Sequence, residues 1–148
     1  MYDPEDYPEI QSWVSGWDGP LDYVDYLKDQ VGLAALVAFA AVLSPRFLQV
    51  EGCVLWERSY DGENFAAWRA ELNGDVRRIE STLNQLRVWE IVGSNETRAD
   101  MDALRFVAEV IARCWRAALR EEFPERGFEV GVVASVDGPK VTFCSAPV

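Results

Sequence analysis

The chain has 148 residues, 49% hydrophobic and 26% charged, enough for one domain with a real core and too apolar for intrinsic disorder. Histidine is absent, which excludes an imidazole base, a serine or cysteine triad built on His, and any His-liganded metal. Twenty-five acidic residues against fourteen basic ones give a formal charge of −11, so nucleic acid and anionic membrane surfaces repel the chain.

Residues 1–19 read as an irregular lead-in, broken by Pro4, Pro8, Gly16 and Gly19. The opening residues are acidic and lack an apolar run, unlike a signal or transit peptide. A single α+β domain is expected over residues 20–148. Pro20 suits a first helical turn, and Leu21, Val24, Leu27 and Val31 follow at helical spacing. Gly32 either divides this helix or weakens it, and Ser44-Pro45 ends it. Residues 31–43 are apolar on every side, which predicts the central buried helix. That run has thirteen residues, short of the roughly 18 of a membrane span, and the chain reads as cytoplasmic.

Residues 47–56 change to a period of two. Leu48, Val50, Val54 and Trp56 are expected on one face of a half-buried strand, with a bulge at Gly52. Asp61-Gly62 predicts a turn before a short helix with Phe65, Trp68 and Leu72 inward. Asn73-Gly74 stops that helix in the left-handed region, and Asp75 caps the next, whose stripe is Val76, Ile79, Leu83 and Leu86. Residues 88–92 suggest a short strand. A long helix follows, capped by Ser94 or Asn95, with Met101, Leu104, Ala108, Ile111, Trp115 and Ala118 on its apolar side. Arg98, Asp102, Arg105, Glu109 and Arg113 alternate in sign on its solvated side. Two alternating runs around Asp137-Gly138 predict a C-terminal β-hairpin. The fold class is therefore α+β, an antiparallel three- to four-stranded sheet with four to five helices on one face.

Motifs for catalysis are missing: there is no GxGxxG, GxxxxGK[ST] or GxSxG. The carboxylate pairs Asp61 with Glu63 and Asp100 with Asp102 fall at helix starts, where acids offset the dipole. Glu121 and Glu122 point about 100° apart on a helix. Cys53, Cys114 and Cys144 are widely spaced and form neither a disulfide framework nor a zinc motif. Arg113, Arg116 and Arg120 offset the C-terminal dipole of the long helix. The reading is a non-enzyme with no cofactor and no metal.

The distinctive feature is at the N-terminal end. Residues 1–27 hold seven acids and no lysine or arginine, whereas the remaining 121 hold eighteen acids and fourteen bases. Tyr2, Tyr7, Trp13, Trp17, Tyr23 and Tyr26 are interleaved with them. Carboxylates and aromatic rings together grip arginine and lysine, by charge-assisted hydrogen bonds and ring-face contacts. Glu5, Asp6, Glu9, Trp13, Trp17, Asp18, Asp22, Asp25 and Tyr26 are accordingly the candidate partner-binding residues. In size, acidity and lack of active-site chemistry the chain resembles, in general character, the immunity proteins that bacteria make against their own toxins. No residue is carried over from that family. The resemblance implies a toxin inhibitor whose partner is a basic protein, for instance a nuclease-type toxin, occluded without nucleic acid or membrane. The alternative is an adaptor or homodimer that pairs through an exposed sheet edge at residues 140–146.

Overall fold

The computed structural model describes residues 1–94 and 96–148. Among these residues it is an α+β fold with six helices and two antiparallel sheets, one of two strands and one of three.

The N-terminal third is more ordered than its prolines and glycines suggest. Helix α1 spans Pro8–Ser15, within the stretch expected to be irregular. Pro8 opens this helix, in the first turn where a missing N–H costs nothing. Pro20 opens none: helix α2 (Tyr23–Gln30) begins after Asp22, whose carboxylate accepts from the N–H groups of Val24 and Asp25. Asp25 reciprocates by accepting from the Asp22 N–H at 2.9 Å, closing a capping box. Gly32 does divide the apolar run. It is the extended N-cap of helix α3 (Leu33–Leu43), which meets α2 at 117°.

The prediction that this run forms the central buried helix fails. No residue of α3 is buried, and Leu33 is 77% and Val37 62% exposed. Only its Phe39, Val42 and Leu43 side rests on the core, where the Trp115 indole N–H donates to the Val42 carbonyl at 2.8 Å. The outer face is left over because the other elements close the core without it.

Residues 47–56 form not one bulged strand but a hairpin, β1 (Phe47–Val50) and β2 (Cys53–Trp56), a separate two-stranded sheet. Its two turn residues, Glu51 and Gly52, take φ of 48° and 84°, the doubly left-handed turn that matches strand twist. The turn also reassigns the faces. The register Phe47↔Trp56 through Val50↔Cys53 puts Leu48 and Val50 opposite to Val54 and Trp56. Strand β2 is buried throughout. Val54 and Trp56 enter the main cluster with Leu86, Val88, Ile111, Trp115 and Phe143, whereas Cys53 and Leu55 enter a second with Phe65, Leu72, Ile79 and Leu83.

Helix α4 (Gly62–Glu71) is capped by Asp61 and buries Phe65, and the following Leu72 is also inside, but Trp68 is exposed. Asn73 and Gly74, at φ 53° and 72°, turn the chain into α5 (Val76–Leu83), capped by Asp75. The strand expected at residues 88–92 lies earlier, at β3 (Gln85–Arg87), and a 3-10 turn over Val88–Glu90 takes its place. Helix α6 (Arg98–Glu122) is the central helix, with Leu104, Ala108, Ile111, Trp115 and Leu119 buried. Thr97 caps it rather than Ser94; Asn95, the other expected cap, lies outside the described residues. The C-terminal hairpin forms as expected from β4 (Phe128–Ser135) and β5 (Gly138–Ser145). The sheet order is β3-β5-β4, so β5, the strand taken as an exposed edge, is central, and β3 and β4 are the edges.

Two buried polar side chains tie these parts together. Glu80, fully buried on α5, accepts from the backbone N–H groups of Val54 and Ser145 at 2.8 Å each and from the Ser145 hydroxyl at 3.1 Å. Asn84 accepts from the Trp56 N–H and donates to the Val54 carbonyl, both at 2.9 Å. The small sheet, α5 and the large sheet are thus braced through one carboxylate and one amide.

Candidate functional site

The acidic, aromatic N-terminal segment is docked. Asp3 accepts from the Glu5 N–H at 2.9 Å and caps a 3-10 turn over Pro4–Asp6. The Tyr2 ring stacks on Phe106 of α6 at 4.6 Å, and the Tyr7 hydroxyl donates to the Asp100 carboxylate at 2.7 Å. That hydrogen bond, helped by burial, pushes the Tyr7 phenol up to about 12. Burial first, and then the charges of Asp6 and Asp102, raise Tyr2.

A second aromatic cluster joins α1 to α2. Trp13 is at its centre, 5.7 Å from the Trp17 ring and 5.6 Å from the Tyr26 ring, and its indole N–H donates to Asp29 at 3.0 Å. Tyr26 is raised by its burial, then by the charge of Glu9 and a hydrogen bond to it. The structure therefore brings Glu9, Trp13, Trp17 and Tyr26 together, with Trp17 the most open of the three rings at 55% exposed. Asp22 and Asp25 do share one helix end, but both act as caps of α2. Glu5, Asp6 and Asp18 take part in no ion pair among the described residues. All six ion pairs found there join residues from Arg46 onward, so no arginine or lysine pairs with an acid of residues 1–29.

What the sequence reading missed is the exposure of apolar residues among the last of these acids and after them in the chain. Val24 and Leu27 of α2, Val31, and Leu33, Leu36 and Val37 of α3 are all exposed, as is Tyr23. They begin at the end of the acidic segment and follow it directly in the chain, on two helices set at 117° to one another and the link between them. The available signal was a count of layers: once α6, a sheet and a hairpin enclose the core, a further all-apolar helix has no second face to pack against. Among the described residues no single helix is long and apolar enough to cross a membrane, and α2 with α3 reaches that length only as a sharply bent pair.

For covalent chemistry the thiols offer little. Cys53 is buried, and burial, with the nearby Glu80 charge, raises its thiol to about 11, so it is protonated at neutral pH. No group of three acidic or cysteine side chains among the described residues is placed to hold a metal ion. The groups on offer are carboxylates without ion pairs among the described residues, partly exposed rings and exposed aliphatic side chains, the kinds of group from which protein interfaces are built. Comparison of the chain with protein-family models, with characterised proteins and with solved structures finds no match.

Proposed function

We propose that this chain is a small acidic binding protein that inhibits a basic partner by occluding its site, in the manner of an immunity protein against a nuclease-type toxin. The observation that carries the reading is the set of acids in residues 1–29, which no arginine or lysine of the described chain neutralises. Carboxylates left unpaired at home are available to cations of a partner, where they stand in for phosphate oxygens. Opposite potentials speed encounter, and the exposed rings and aliphatic side chains supply the desolvated contact that surface charge alone does not.

The capping role of Asp22 and Asp25 dictates how to test this. Reversing them would disrupt α2, so the informative variant is Glu5→Lys, Asp6→Lys and Asp18→Lys together, none of which caps a helix. The wild-type chain retrieves a partner from lysate of the producing cell, and the partner's activity is then assayed with and without the chain. Inhibition, with the variant associating at least about tenfold more slowly at low salt and with a flatter salt dependence, supports the proposal. A partner that stays active when bound, or that binds the variant equally fast, refutes it.

A second reading, a homo-oligomeric module, is favoured by the exposed apolar side of α3 and no longer by residues 140–146, which lie in the sheet centre. Sedimentation separates the two: a tight dimer that persists in high salt supports the module, and a monomer that captures a cationic protein supports the inhibitor.

A further inference from the structure

Next to the Tyr2 contact on α6, with Asp102 near both, a cleft of about 610 Å³ opens between the helix and the edge strand β4. Its volume is that of a site for a short peptide or a small ligand. One wall is a helical stripe carrying Arg105, Arg113 and Arg116 with Asp102 and Glu109, and the other is formed by β4 and the start of β5.

The edge itself is open. The two-residue turn makes Ser135 and Gly138 a hydrogen-bonded pair, and antiparallel pairing alternates from there. Val130, Val132 and Ala134 consequently direct their peptide N–H and C=O groups away from β5. The Val130 carbonyl bears this out, because it accepts from Arg116 Nη2 at 2.8 Å instead of from the ladder. Arg116 thus closes one end of the edge and leaves the peptide groups of Val132 and Ala134 facing the cleft.

Charge selects the occupant. Arg105 is paired with Glu109 at 3.2 Å, whereas Arg113 is in no ion pair among the described residues, and cations outnumber anions in this cleft of a molecule that carries −11 overall. A basic segment would meet Arg113 and Arg116, neither of them in an ion pair among the described residues. A second copy of β4 would bring the same arginines face to face.

We infer that this cleft binds an extended acidic peptide segment as an additional strand on β4, main chain against Val132 and Ala134 and carboxylates toward Arg113 and Arg116. Backbone pairing supplies affinity in such strand addition, and side-chain charge supplies selectivity.

The probes are two capped pentapeptides, Val-Glu-Val-Glu-Val and Val-Lys-Val-Lys-Val, titrated into the isotope-labelled full chain and followed by backbone amide NMR shifts. The acidic peptide is expected to give saturable shifts at Val132 and Ala134, and the lysine peptide none there. Arg113→Glu should weaken the acidic peptide about tenfold. Ala134→Pro, at an exposed position whose N–H faces out of the ladder, should abolish its binding while leaving the α6 shifts in place. The inference is overturned by absence of saturable shifts at β4 with millimolar peptide, by equal response to both peptides, or by a β4–β4 dimer that occupies the edge.

Discussion

Glu80 illustrates how much a single side chain carries here. Its carboxylate answers two backbone N–H groups and a hydroxyl from two different sheets, and it lies 3.5 Å from the Arg126 guanidinium. Glu80→Ala leaves those donors buried without a partner, and a loss of about 3–5 kcal/mol is expected in urea unfolding, with Glu80→Gln losing less. Nothing in the sequence marks it: a glutamate on an amphipathic helix reads as a surface acid, and its burial follows from the β1–β2 hairpin covering that side of α5. Tyr7 offers a pH handle. Its phenol is raised in the folded chain to about 12 from an ordinary 10, so the folded state holds the proton more tightly than the unfolded one. Its contribution is whole below pH 10 and is lost as pH climbs through about 12, where the ionised oxygen no longer donates to Asp100. Tyrosinate absorbance should show a late-titrating phenol that Tyr7→Phe removes; an unchanged curve would contradict the assignment.

Elements defined by local chemistry were legible, and those defined by distant packing were not. Asp75, Asn73-Gly74 and Ser44 act where their residue types place them, because a cap or a left-handed stop depends on a few neighbouring atoms, whereas the C-terminal hairpin turns on Val136 and Asp137 and leaves Gly138 to open β5. Glu51-Gly52 was harder, since glutamate seldom adopts positive φ and the pair lacks the usual Asn-Gly signal. Pro8 reads equally as breaker or opener, and only the helix after it decides. The α2 cap yields a direct check: Asp22→Ala should cost about 1 kcal/mol of helix stability and loosen the Trp13–Tyr26 contact, seen as a red shift of tryptophan emission. The position of α3 was invisible locally. Its composition says buried, and only the finished layer arrangement leaves it outside. Leu33→Gln with Val37→Gln should therefore change unfolding free energy by no more than about 0.5 kcal/mol, as at other exposed sites, whereas a core helix would collapse.

At the scale of the whole molecule the candidate surface was half legible. The charge asymmetry could be counted from the sequence, and the structure keeps Glu9, Trp13, Trp17 and Tyr26 together. The apolar half could not be counted, because it depends on what fails to cover α2 and α3. Along the sequence the charges are consequently sorted, with acids in no ion pair through residue 29 and every ion pair among the described residues from Arg46 onward.

Strand β2 has a thermodynamic consequence. Alternate side chains of four consecutive residues feed the two hydrophobic clusters, so the strand is a party wall between them. Neither chamber can melt while the other stands, because removing the wall opens both to water at once. Calorimetry should record one endotherm with matching van't Hoff and measured enthalpies, despite two sheets and two separate apolar centres.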